Sequence, residues 1–170
     1  MSELLIGCGN ARKKFITSEV IPAEWKKLTT LDIDPSCNPD VVWDLNQVPL
    51  PFEDNSFNEI HAYEVLEHVG RQGDWKFFFD QFADFHRILR PGGFLVGTCP
   101  MWDSPWAWSD PGHTRLLSKH SLVFLSQAEY ERQVGKTHMT DYRAYYKADF
   151  EILAVTEHEH VWGFVLKALK

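Results

Sequence analysis

Three groups of residues in this 170-residue chain have the types and spacing to do chemistry. The first begins with the turn Gly7-Cys8-Gly9, which ends the apolar run Leu4-Leu5-Ile6. Glycines at the end of a strand adopt backbone angles closed to other residues and let a ligand approach the main chain. Asp32 completes this group, 23 residues after Gly9 and near the end of a second strand-like run that closes TTLDID. A glycine turn followed by an acid on the next strand is how a fold holds a ribose, because the carboxylate accepts from both hydroxyls. Asp34 competes for the role, but Pro35 ends the strand and Asp34-Pro35-Ser36 reads as a turn. Arg12 stands where the nicotinamide fingerprint GxGxxG needs its third glycine, which argues against a dinucleotide.

The second group is His68, His113 and Arg115. An imidazole is the side chain best suited to take a proton near neutral pH, and Arg115, close to His113 in SDPGHTR, suits an anionic acceptor. Each has a structural reading too: His68 as a core or capping residue, and His113 with Arg115 as a surface turn ordered by Asp110. The third group is PMWDSPWAWSDPGH at 100–113, where Trp102, Trp106 and Trp108 lie among prolines. It reads as a lid or substrate wall, or as a hydrophobic plug over the sheet end, and Tyr142, Tyr145 and Tyr146 extend the wall. His158 and His160 alternate with Glu157 and Glu159, so alternate side chains could share an ion. No third histidine lies near them, and no metal site is expected. No Cys–His pair carries a signature for covalent catalysis.

Strands and helices must position these groups. Leu4 to Ile6, Leu28 to Ile33, Val41 to Trp43, Phe57 to Ala62 and FLVGTC at 94–99 read as strands. Residues 150–156 and 161–169 read as a last pair joined through EHEH at 157–160. Trp75, Phe78, Phe79, Phe82, Phe85 and Leu89 recur at helical spacing, so a helix is predicted from Asp74 to Leu89, capped by Asp74 and stopped by Pro91-Gly92-Gly93. A further helix is predicted from Ser118 to Gln133, with Leu122, Leu125 and Tyr130 on its buried side. Between Asn10 and Lys27, Pro22 leaves any helix short or irregular. The strand–turn–helix–strand rhythm predicts a mainly parallel sheet with helices on its faces.

The length suits a single domain, 1–170, with 100–147 as a substrate-side insertion or lid. Lys and Arg number 17 against 24 Asp and Glu, a net charge of −7 that disfavours a nucleic-acid partner. Cys8, Cys37 and Cys99 form no CxxC pair, which points to a reducing compartment. The start MSELLIGCGN lacks the features of a signal peptide, and no apolar run approaches a bilayer span of roughly 20 residues. A cytoplasmic protein with no membrane association is expected.

In this order the pieces resemble the class I methyltransferases that use S-adenosylmethionine, in the compact methyltransferase type 11 domain group. The resemblance rests on LLIGCGN at 4–10, LDID at 31–34, DLNQVPLPFEDNSFNEI at 44–60, YEVLEHV at 63–69 and FHRILRPGGFLVGTCP at 85–100. It implies a three-layer α/β sandwich around a seven-stranded, mostly parallel, Rossmann-like sheet with an antiparallel last strand. It implies S-adenosylmethionine as cofactor and S-adenosylhomocysteine as product. Gly7, Cys8 and Gly9 would flank its methionine part, Asp32 and Ile33 the ribose side, and Asp44 and the Leu45 N–H the adenine. Glu64 would stand near the methionyl end. Direct in-line transfer to a small or non-nucleic-acid acceptor is the expected reaction. A non-catalytic binding module on the same fold is the alternative. Two departures from the family pattern are ARKKFITSEVIPAEW in place of a full first helix and Asn58 in place of an acid. The residues fix neither the acceptor nor an oligomeric state.

Overall fold

The strands β1 (Glu3–Ile6), β2 (Leu28–Asp32), β3 (Val41–Val42), β4 (Phe57–Tyr63), β5 (Leu89–Pro100), β6 (Asp149–His158) and β7 (Val161–Leu169) form one sheet in the order β3-β2-β1-β4-β5-β7-β6. The computed structural model describes residues 2–170. Strands β1 to β5 pair in parallel, and β7 runs antiparallel to both β5 and β6. This is the Rossmann-like α/β arrangement with an antiparallel last strand. Strand β1 pairs with β2 on one side and β4 on the other, Leu5 facing Thr30 and His61. The chain direction of build-up reverses there, and the crevice outside the carboxyl ends of such strands is where open α/β sheets bind ligands.

Side chains alternate across the sheet, and its two faces are covered differently. Leu4, Ile6, Leu31, Ile60, Ala62 and Leu95 point into the main core. Helix α1 (Trp75–Ile88) closes that core with Phe79, Phe82, Phe85 and Ile88. Each buried Phe stabilises by about 1.5–3 kcal/mol. Asp74 caps α1, its Oδ1 accepting from the Phe77 N–H at 3.1 Å. The helix ends at Ile88, and β5 begins at once with Leu89. Pro91-Gly92-Gly93, expected to lie between helix and strand, belongs to β5. Gly93 is required there because a Cβ would come within 2.9 Å of the Asn58 carbonyl on β4.

The tryptophan segment contains a short helix, α2 (Pro105–Ser109), capped by the Ser104 hydroxyl at 3.2 Å from the Trp106 N–H. The helix predicted from Ser118 to Gln133 is two pieces: a 3-10 turn at Lys119–Leu125 and helix α3 (Gln127–Gln133). Ser126 separates them. Its backbone is extended and its hydroxyl accepts from the Glu129 N–H at 3.4 Å, so it caps α3 rather than continuing a helix. Leu122, Leu125 and Tyr130 are buried as expected. The last hairpin turns at Glu159 and His160 alone, with His158 inside β6.

The opposite face carries Val96 and Val165, covered by Ile16 and Ile21. These come from the β1–β2 crossover, which has no helix between residues 10 and 27. A buried ion network holds this crossover down. Lys14 Nζ sits 2.6 Å from Glu59 Oε2 and 3.2 Å from Glu3 Oε1, with its side chain wholly out of solvent. It also lies over the Trp25 ring. His61 lies 2.8 Å from Glu59, and the Tyr63 hydroxyl 2.7 Å from its other nitrogen. Burial lowers the His61 pKa, so the ring is neutral: Nε2–H donates to Glu59 and Nδ1 accepts from Tyr63. Among the described residues no helix is long and apolar enough to cross a membrane, and Cys8, Cys37 and Cys99 are free thiols.

Candidate functional site

The carboxyl ends of β1, β2 and β4 deliver Gly7, Ile33 and Glu64 to one edge of the sheet. Gly7 and Gly9 both have left-handed backbones, φ +57° and +46°. A Cβ on Gly7 would lie 2.2 Å from Val65 Cγ2, whereas nothing lies within 4 Å of one on Gly9. The turn is thus packed on one side and open on the other. Asp32 braces it: Oδ2 accepts from the Gly9 N–H at 2.8 Å and Oδ1 from the Asp34 N–H at 2.9 Å. A carboxylate has about four acceptor sites, so capacity remains for hydroxyls. Asp34 caps the 3-10 turn Pro35–Cys37, which leaves the strand-end position to Asp32. Arg12 donates to the Cys8 and Gly9 carbonyls and, at 2.8 Å, to the Cys37 carbonyl, clamping the glycine turn to the loop after β2. Sequence reading assigned Arg12 only an exclusion; its clamping role follows from the missing crossover helix.

The surroundings fit a nucleoside. Ile33, a large apolar residue directly after Asp32, is 63% exposed, which suits the face of a purine ring. Asp44 is half-buried and accepts from the Asn46 N–H at 2.9 Å, while Leu45 is buried beneath it. Asn46 in turn accepts from the Gly70 N–H at 2.8 Å, tying this loop to the segment after β4. Burial pushes the Cys8 thiol up, so it stays protonated and is no nucleophile at neutral pH. Glu64 holds φ +50°, a conformation that costs a non-glycine residue about 1–2 kcal/mol. Its N–H donates to the Thr98 carbonyl at 3.0 Å. Burial raises the Glu64 pKa against the opposing pull of Thr98, His113 and His68.

The structure brings His68 and His113 together, their rings 4.6 Å apart in an edge contact beside Glu64. His68 sits on a single 3-10 turn, Leu66–His68, rather than a longer helix. Arg115 does not join them at the surface. It is buried, with Nε donating to the Leu66 carbonyl at 2.8 Å and a terminal nitrogen to Gln81 at 2.5 Å. Burial lowers its pKa to about 10. This arginine fixes the turn that carries Glu67 and His68. Glu67 was not singled out in the sequence; it is buried, and burial raises its pKa to about 8.

Trp102, Trp106 and Trp108 are 60–69% exposed, and the Trp108 indole N–H donates to the Trp102 carbonyl. The three tyrosines part company: Tyr142 stacks against Trp75 and Phe79, Tyr145 donates to Asp80, and Tyr146 is sealed in the core. A cavity of about 380 Å³ opens between the start of α1 and residues 115–124, lined by Trp75, Phe78, Phe124, Tyr142, Arg71 and Arg115. None of Gly7, Gly9, Asp32 or Glu64 lines it.

The profile of the methyltransferase domain family matches residues 4–97, more than half of the chain. No curated protein sequence matches it. Among solved structures, a SAM-dependent methyltransferase from Archaeoglobus fulgidus superposes with a TM-score of 0.61 at 15% identity, covering 98% of this chain and 85% of that one. A SAM-dependent methyltransferase from Aquifex aeolicus gives 0.58 at 12% identity, over 99% and 82%. The N-methyltransferase NodS of Bradyrhizobium japonicum, in complex with S-adenosylhomocysteine, gives 0.57 at 15% identity, over 99% and 78%. At these identities the superpositions speak for the fold, and the family match carries the activity. The chain belongs to the methyltransferase domain family and is an S-adenosylmethionine-dependent methyltransferase.

Proposed function

We propose that the cofactor lies across the carboxyl ends of β1, β2 and β4, and that a small acceptor other than nucleic acid reaches it from the side of residues 100–147. The observation that carries this reading is the braced turn: the Asp32 carboxylate bonded to Gly9 N–H at 2.8 Å, with open space above Gly9. Asp32 holds the ribose hydroxyls, Ile33 covers one face of the adenine, and Asp44 with the Leu45 N–H meets its polar edge. Gly7, Cys8 and Gly9 line the methionyl part through their backbones, and Glu64 orients that end. S-adenosylmethionine supplies an electrophilic methyl group on a sulfonium. Orientation and exclusion of water therefore do most of the work. Glu64 positions rather than abstracts a proton, since a tight contact to the sulfonium would favour the ground state. His68 and His113 stand on the acceptor side of Glu64, and Arg115 is a positioning residue beneath them. The exposed tryptophans form the outer wall.

Calorimetric titration with S-adenosylhomocysteine tests the assignment. Asp32→Ala is expected to weaken binding at least about tenfold, since hydrogen bonds to a charged group contribute about 1.5–3 kcal/mol. Unchanged affinity in a folded variant contradicts the ribose role.

A further inference from the structure

One cluster on the acceptor side has the chemistry of a different ligand. Glu67, His68 and His113 each present one ligand atom, and these atoms lie within 4.8 Å of one another. We propose that these three residues bind a divalent transition cation of the zinc type, with coordination positions left open beside Glu64. Two imidazoles and a carboxylate are a donor set suited to zinc and its neighbours rather than to magnesium or calcium, which favour oxygen-only shells. Donors in a tetrahedral shell at about 2.0–2.2 Å from the ion are roughly 3.4 Å apart, so closure by up to about 1.4 Å completes the site.

Three independent features support it. First, Glu67 is 2% exposed, and its Oε2 has no N–H or O–H partner among the described residues, the weakly donating Cys99 thiol being the carboxyl's side-chain neighbour. A buried polar atom left without a partner is costly, and a cation would satisfy it. Second, each ring is oriented through Nδ1. His68 Nδ1 lies 3.2 Å from the Gly112 carbonyl, and His113 Nδ1 lies 3.2 Å from the Ala107 carbonyl. A carbonyl only accepts, so each Nδ1 carries the proton and each Nε2 keeps its lone pair, the arrangement found behind histidine metal ligands. Third, the two segments are stitched together. The Glu67 carbonyl accepts from the Thr114 N–H at 2.9 Å and the Arg115 N–H at 3.3 Å, and the Arg115 side chain holds the Leu66 carbonyl. Asp110 adds a carboxylate 3.8 Å from His113 Nε2. The site assigns the two imidazoles to a cation in place of proton transfer. It does not depend on the cofactor assignment, because its donors are all the chain's own.

The test uses tag-free, full-length protein stripped with EDTA and free of S-adenosylmethionine. Zn2+ is titrated by calorimetry, and Co2+ by visible absorption. The site predicts one equivalent of either ion, with the imidazole NMR signals of His68 and His113 shifting in the unmodified protein. His68→Ala and His113→Ala should each weaken Zn2+ binding at least about tenfold. His158→Ala with His160→Ala should leave it unchanged. No saturable binding by the unmodified protein overturns the proposal. So does an equivalent of metal that leaves the His68 and His113 signals unmoved, or that is lost in the 158/160 variant. S-adenosylhomocysteine binding measured on the same preparation reports separately on the cofactor site.

Discussion

Gly7 and Gly9 share a left-handed backbone but not a neighbourhood, one packed against Val65 and the other facing open space. An alanine at position 7 meets both the backbone cost of about 1–2 kcal/mol and a collision with Val65. Gly7→Ala is expected to lower unfolding free energy by about 2–5 kcal/mol. Gly9→Ala meets only the backbone cost and should lower it by about 1–2 kcal/mol, as urea denaturation of the two variants will report. Equal losses would mean that Val65 yields freely. The glycine turn and Asp32 were legible in the sequence because local chemistry dictates them: a φ above zero needs glycine, and Pro35 fixes where β2 stops. Arg115 and Glu67 were not. SDPGHTR reads as a polar surface turn, and only the docking of residues 112–115 under the Leu66–His68 turn buries the guanidinium. Tyr146 was misplaced on the wall for the same reason, since its burial depends on α1 and not on its neighbours in sequence.

The crossover between β1 and β2 does without a helix by adding a buried ion network to the apolar contacts of Ile16 and Ile21. Lys14 neutralises Glu3 and Glu59 where a helix would otherwise lie. Removing one partner of such a network leaves charges buried and unpaired, so Lys14→Met is expected to cost about 3–5 kcal/mol by denaturant unfolding. A loss below about 1 kcal/mol would show that water reaches the carboxylates. The same network sets an acid response. Burial lowers the His61 pKa below its ordinary 6.5, so the unfolded chain takes up a proton that the folded one refuses. Burial alone would raise the Glu59 pKa, but hydrogen bonds from His61 and Lys14 bring it below its ordinary 4.5. Both shifts act in one direction: this network's contribution to unfolding free energy should fall as pH drops below about 6.5 and again below about 4.5, against the opposite contribution of Glu67, whose raised pKa favours the folded chain as pH drops from about 8. An imidazole NMR titration of the folded protein in which His61 takes up its proton at or above pH 6.5 contradicts a neutral, buried His61. Pro22 announced the missing helix, while the network was hidden because its five charged or titratable members come from two strands and a loop. The break at Ser126 was legible in principle, as serine favours caps over helix interiors, but the apolar spacing of Leu122, Leu125 and Tyr130 outweighed it.

At the scale of the whole molecule, strand order decides which loops meet. Placing β1 between β2 and β4 brings the glycine turn, Asp32 and Glu64 to one edge of the sheet. The helical layer on the α1 face is a continuous apolar core, and the other face is closed by the irregular crossover. Hydrophobic periodicity showed the parallel sheet and α1, since both repeat locally. The details of residues 100–147 were not legible, because their short helices and the burial of Arg115 are fixed by contacts distant in sequence. The central claim is a nucleoside cradle for a sulfonium cofactor, and calorimetric titration of the unmodified protein tests it most directly. Saturable binding of S-adenosylhomocysteine at one site, with none for NAD, is the predicted result. Binding of NAD in its place, or of neither compound, would contradict the account.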